Sequence, residues 1–188
     1  IKWDDPAVIQ YTGGTTGIPK GAVLTQYNII AGTMSCVLWS QACVDHVPLE
    51  KMSVLSVLPF SHVYGEICCL CWAAWCVGTM IILPRVDVDE IVDVLNKFDT
   101  ITYWPCVPTM IQALFYHPRV NEIDWHEKIL YTGTGAAPAP LELIKKCREL
   151  DFSFHEGYGM SETTALAIST PYNAFRPGSC GVPYTDVE

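Results

Sequence analysis

TMIILPRVDVDEIVDVLNKFDTITYWPCVPTMIQALFY, residues 79–116, alternates strand-like and helix-like segments and decides the fold. A β-rich run at 79–83 stops at Pro84. Residues 88–98 then place Ile91, Val92, Val94, Leu95 and Phe98 on one side of a helix. A second β-rich run at 100–104 meets Pro105, and Pro108 opens a helix over 109–116. The same alternation extends outward. Upstream, a strand at 53–58 ends at Pro59 and is followed by an apolar helix at 66–77. Further back, 27–39 reads as a helix with Asn28 near its start, and 45–51 is a polar connector. Downstream come a strand at 129–131, a helix at 141–150 opened by Pro138-Ala139-Pro140, a strand at 152–155 and another near 164–169. Strands alternating with helices of about ten residues predict an α/β fold, with helices layered around a mostly parallel sheet.

In such sheets ligands collect at the carboxyl ends of the strands. The unusual segments fall there: 12–21, 59–65, 133–138 and 156–162, so four stretches are expected to meet at one cleft. Thr12 to Gly21 holds four glycines (13, 14, 17, 21), three threonines (12, 15, 16) and Lys20. Such a loop lets backbone N–H groups, short hydroxyls and a mobile point charge surround a polyphosphate. It lacks Walker A spacing, because counting from Gly14 puts Pro19 and Gly21 where the second glycine and the metal-binding hydroxyl belong. The plainer alternative is a Gly/Thr-rich hairpin with no ligand.

In Pro59-Phe60-Ser61-His62-Val63-Tyr64-Gly65, His62 can orient a phosphate or acyl group, with Phe60 and Tyr64 walling a pocket. Equally, the segment is a capping loop with Ser61 as N-cap. The small residues of Thr132-Gly133-Thr134-Gly135-Ala136-Ala137-Pro138 let a planar base lie against the backbone. In His155-Glu156-Gly157-Tyr158-Gly159-Met160-Ser161-Glu162, Tyr158 offers an aromatic face and Ser161 a hydroxyl. Glu162 is an oxygen ligand of the kind Mg²⁺ takes beside substrate phosphates.

Composition narrows the classes. The 188 residues suit a single α/β unit of ordinary size. Net charge is −9 and no basic stripe is visible, which speaks against nucleic acid as a partner. Lys145, Lys146 and Arg148 read as an exposed helix face. Half the residues are apolar and only 16% charged, against about a quarter in typical domains. We therefore expect a fragment whose surface is partly covered by further chain. Nine cysteines, several inside apolar runs, read as core thiols in a reducing cytoplasm rather than as zinc ligands, despite Cys68-Cys69-Leu70-Cys71. The apolar stretch 67–83 is broken by Gly78-Thr79 and reads as buried helix, turn and buried strand, not a membrane span.

Taken together, these segments resemble the adenylate-forming (AMP-binding) superfamily of acyl-CoA synthetases, luciferases and peptide-synthetase adenylation domains. YTGGTTGIPKGAVLT is similar to its phosphate loop, LPFSHVYG to its histidine motif, GTGAAP to its adenine loop and GYGMSET to its magnesium and adenine motif. Residues 176–183, RPGSCGVP, resemble the stretch that follows. The histidine motif, with Leu83-Pro84-Arg85-Val86-Asp87-Val88-Asp89-Glu90 and Val107-Pro108-Thr109-Met110, looks most like long-chain fatty acid–CoA ligases.

The resemblance implies the acetyl-CoA synthetase-like large domain, of which this chain is a central fragment lacking the C-terminal lysine-bearing domain. It implies ATP, Mg²⁺ and CoA as co-substrates, and a reaction through acyl-AMP. Thr12, Gly13, Gly14, Thr15, Thr16, Gly17 and Lys20 would hold the outer phosphates. Gly135, Ala136, Ala137, Glu156, Gly157, Tyr158 and Gly159 would frame the nucleotide, and Ser161 would meet the phosphate that becomes AMP. Glu162 would bind Mg²⁺ and His62 would border the acid, with Lys20, His62 and Glu162 carrying the catalysis. Ser161 departs mildly from the commoner threonine. Alone, the fragment is expected to turn over little. An oligomer and peripheral membrane contact are compatible with this reading. The alternatives are another acid (medium-chain, aryl or amino), a kinase using the same loop, or a non-catalytic nucleotide-binding module. The kinase leaves 156–162 unexplained, and the presence of both Lys20 and Glu162 argues against the inert module.

Overall fold

The computed structural model describes residues 1–12, 17–125, 128–172, 174–185 and 187. Its centre is a seven-stranded sheet of order β4-β3-β5-β6-β7-β8-β9. The strands are β3 (Ser53–Ser56), β4 (Thr79–Ile82), β5 (Ile101–Cys106), β6 (Ile129–Thr134), β7 (His155–Tyr158), β8 (Ile168–Ser169) and β9 (Val182–Pro183). Pairing is parallel from β4 to β7 and antiparallel through β8 and β9. Two further strands, β1 (Pro6–Thr12) and β2 (Lys20–Thr25), form an antiparallel hairpin of their own.

Helices cover both faces of the sheet, and adjacent residues of β5 show why. The Tyr103 ring packs 5.1 Å from Trp72 on one face. Its neighbour Trp104 points the other way and meets Phe152 edge-on. The first face carries α1 (Gln26–Val44), α2 (Val63–Gly65), a π-helical turn (Glu66–Cys71) and α3 (Trp72–Trp75). The second carries α4 (Val88–Lys97), α5 (Pro108–Phe115) and α6 (Leu141–Glu149). Val54, Leu55, Ile91, Leu95, Ile101, Trp104, Ile111 and Leu114 are fully enclosed. Most cysteines join this core as free thiols, and Cys180 is exposed. On α6, Lys145 pairs with Glu142 and Lys146 with Glu149, so that basic cluster is a solvated helix face.

Several boundaries differ from the sequence reading. The segment 12–21 does not follow a strand of the parallel sheet; Thr12 ends β1 and Lys20 begins β2 of the separate hairpin. α1 runs to Val44 rather than residue 39, because Cys36, Ser40, Cys43 and Val44 all find buried contacts. Its cap is Thr25, whose Oγ1 accepts the Asn28 N–H while the Asn28 side chain accepts from Thr25 N–H. β5 continues through Pro105, which keeps register with Gly133. A proline loses only its own N–H, and its carbonyl still accepts. β4 lies at the sheet edge and is half-exposed rather than buried. The expected strand at 152–155 is displaced to His155–Tyr158, and only 168–169 of the expected 164–169 strand forms. No helix among the described residues is long and apolar enough to cross a membrane.

Candidate active site

The carboxyl ends of β5, β6 and β7 open on a cleft. Three of the four unusual segments supply its walls: His62, Val63 and Tyr64 from the loop after β3; Gly133 to Ala136 from the end of β6; and Gly157 to Met160 from β7 and beyond. Tyr103, Tyr131, His155 and Tyr184 form part of its lining from below.

His62 caps α2, a place the sequence reading gave to Ser61. Its Nδ1 accepts the Tyr64 N–H at 3.2 Å, so in the neutral ring Nε2 carries the proton and can donate to a ligand. Tyr64 is turned inward. Its hydroxyl donates to the Gly133 carbonyl at 2.8 Å, with the Cys106 carbonyl at 3.3 Å. Burial pushes its pKa well above the usual phenol range, so it stays a donor. Phe60 is exposed and lies outside the lining. Gly65 is required here, because a Cβ would overlap the Pro59 carbonyl oxygen.

On the opposite wall Tyr158 is half-exposed, as a ring available for stacking must be. Gly159 lets residue 165 fold over it, since a Cβ would overlap the Ala165 carbonyl. Gly135 is buried, whereas Ala136 and Ala137 are exposed. Ala136 holds φ 66°, and Thr164 and Ala165 are also left-handed at 53° and 76°. Non-glycine residues in that region carry strain of about 1–3 kcal/mol each, and such strain collects at functional sites.

Glu156 is 7% exposed, and its Oε1 accepts the Ala139 N–H at 3.0 Å. Its carboxylate therefore turns to the 135–139 loop and is absent from the cleft lining, as are Ala137, Ser161 and Glu162. Ser161 and Glu162 lie on a 3₁₀ turn (Ser161–Thr163) that packs against β1 and β2. The Thr163 hydroxyl is used within that turn, accepting from Met160 N–H. The Glu162 carboxylate is exposed, and among the described residues no hydrogen bond or ion pair engages it. It fits a divalent cation that takes one carboxylate plus phosphate oxygens. Among the described residues no three potential protein ligands gather at one place, at Glu162 or away from it.

Gly13, Gly14, Thr15 and Thr16 lie outside the described residues. Around them, Thr12 Oγ1 donates to the Lys20 carbonyl at 3.3 Å, Lys20 is exposed and Gly17 holds φ 84°. Buried Gln10 donates through Nε2 to the Ser61 carbonyl. The hairpin is thus tied to the histidine loop on one side and meets the Glu162 turn on the other.

Sequence reasoning missed Gln10 and the cleft floor. His155 packs at a tilt against Tyr131, ring centroids 4.8 Å apart, and burial lowers its pKa to about 4. Tyr184 packs on Trp39 at 4.6 Å. Tyr103 and Tyr131 belong to strands buried on both faces, which carry no alternation to mark a ligand-facing side.

The family described as AMP-binding enzyme matches residues 1–188. The chain is 34% identical over 186 residues to the long-chain-fatty-acid–CoA ligase of Bacillus subtilis, covering 98% of this chain and 32% of that protein. It is 30% identical over 188 residues to a feruloyl-CoA synthase of Amycolatopsis, covering 98% and 37%. Among solved structures, ATP-bound MatB from Rhodopseudomonas palustris superposes with a TM-score of 0.83 at 28% identity, over 98% of this chain and 35% of that one. The chain spans about a third of the length of the relatives it matches.

Proposed function

The chain belongs to the AMP-binding enzyme family, and we propose that the protein carrying it activates a carboxylic acid with ATP to give acyl-AMP and pyrophosphate, then passes the acyl group to the CoA thiol with release of AMP. The observation that carries this reading is the meeting of three chemically distinct segments at one cleft, with the Glu162 turn packed against the hairpin. A donor in His62, a flat small-residue loop at 135–137 and an aromatic ring in Tyr158 suit an acid, a base and the phosphate between them.

Attack of a carboxylate on the α-phosphate brings two anions together. Unit charges 4 Å apart repel by about 4 kcal/mol at an effective dielectric constant near 20. Lys20 and the hydroxyls of Thr12, Thr15 and Thr16 would offset that repulsion on the outer phosphates, and pyrophosphate leaves as the P–O bond breaks. Mg²⁺ held by Glu162 would supply the remaining charge neutralisation. His62 Nε2–H would orient the acid in line.

We favour a long-chain fatty acid, on the likeness to the Bacillus subtilis ligase. A second reading, a shorter or aryl acid, draws on the aromatic floor of Tyr103, Tyr131 and His155 and on the likeness to feruloyl-CoA synthase. The test is acid-dependent pyrophosphate release by the full-length protein over a panel from acetate through aromatic acids to palmitate. We expect the highest kcat/KM at palmitate; a maximum at ferulate or a short acid would establish the second reading. No release with any acid would sink both.

A further inference from the structure

We propose that Glu156 is a positioning residue that holds the 135–139 loop in its nucleotide-facing shape through the Ala139 N–H, without touching the nucleotide; this rests on the function proposed above. The loop leaves β6 at Thr134 and turns through Ala136 in a left-handed conformation. Two side chains, that of half-buried Tyr64 and that of buried Glu156, bracket that strained residue. On the near side the Tyr64 hydroxyl fixes the Gly133 carbonyl at 2.8 Å. On the far side Glu156 Oε1 takes the Ala139 N–H at 3.0 Å.

Glu156 is itself held. Thr134↔Glu156 is a register pair of the sheet, and the Glu156 carbonyl accepts both the N–H and the hydroxyl of Thr170 at 2.9 Å. The carboxylate is therefore delivered from a rigid strand to a loop whose middle, Ala136 to Pro138, is exposed. A strained conformer persists when its surroundings over-determine it. Cutting the far anchor releases Ala136 towards ordinary backbone and moves the platform at 135–137.

An Ala139 N–H needs an oxygen at that reach and makes no demand for charge, which gives the test its shape. In the full-length protein, Glu156→Gln keeps both reach and acceptor, Glu156→Asp keeps the charge but shortens the reach, and Glu156→Ala removes everything. We expect Glu156→Ala and Glu156→Asp each to raise KM for ATP about tenfold, the loss of one charge-assisted hydrogen bond. We expect kcat and the KM for the acid to change by less than about twofold, with Glu156→Gln within about threefold of wild type in KM for ATP. Amide hydrogen exchange across 135–139 should quicken in the Ala and Asp variants only. If Glu156→Gln is as impaired as Glu156→Ala, the charge acts on the nucleotide or its metal and the positioning role is wrong. Unchanged KM and exchange in Glu156→Ala overturn it equally. Should the wild-type protein release no pyrophosphate, the proposed function falls alone, because exchange and direct ATP titration still decide the role of Glu156.

Discussion

Glu162 and Glu156 lie on consecutive pieces of one strand and turn, yet the fold treats their carboxylates oppositely. Glu156 is buried against a backbone N–H, whereas Glu162 stands exposed beside the hairpin. An exposed carboxylate with no partner among the described residues contributes little to stability, so Glu162→Gln should leave the urea midpoint within about 0.5 kcal/mol of wild type. Its effect should fall on turnover. We expect acid-dependent pyrophosphate release to drop by at least about 10- to 100-fold, the penalty seen even for outer-sphere metal partners. Titration with Mg²⁺ should shift in parallel. Normal turnover in this variant would remove Glu162 from the metal site. At this scale the sequence reading singled out His62, Gly135 and Tyr158, which the fold brings to one cleft, and Glu162, which it sets outside that lining. Gln10 was not, nor was the bond from Tyr64, read only as a pocket wall, because each acts through a backbone carbonyl brought near only by the fold, Ser61 for one and Gly133 for the other.

Elements were legible where periodicity or capping chemistry is local. α4 begins after Asp87, whose side chain accepts the Glu90 N–H, and α5 begins at Pro108, both within a residue of the expected starts. Errors arose where tertiary pairing decides. β7 starts three residues later than its apolar run, because Phe152 and Phe154 are buried by packing while His155 and Glu156 take the ladder positions opposite Gly133 and Thr134. The segment 12–21 was read as following a strand of the parallel sheet, since nothing within residues 6–12 reveals that their partner is residues 20–25. α1 tests the local rule directly, because its start rests on the reciprocal Thr25–Asn28 box and it carries no acidic residue in its first turn. Thr25→Ala should destabilise by about 1 kcal/mol, while Thr25→Ser should cost only a few tenths. Urea denaturation resolves that difference. If Thr25→Ala is neutral, the helix start is held by packing of the hairpin rather than by its cap.

Across the whole molecule, one row of rings runs from α3 through β5, β6 and β7. It links Trp72, Tyr103, Tyr131, His155 and Tyr172, with centroid separations of 5.1, 5.1, 4.8 and 6.2 Å. The row ties helix layer, sheet and cleft floor together, and it buries a titratable group in its middle. Desolvation lowers His155 from its ordinary value of 6.5 to about 4. Between those values the unfolded chain binds a proton that the folded one refuses, so unfolding becomes easier as the solution is acidified. The stabilising difference is fully present above pH 6.5, falls through that window and is gone below about pH 4. From pH 7 to pH 5 the loss should reach about 2 kcal/mol. Glu66, whose carboxyl is raised by burial, works in the opposite direction, but only near the carboxylate range. His155→Phe keeps a ring in the row without the titration, and its stability should be nearly flat over pH 7 to 5 while the wild type declines. Denaturant midpoints at pH 7, 6 and 5 for the two proteins make the comparison. Parallel slopes would mean that acid enters the fold elsewhere and that the aromatic row does not set its pH limit.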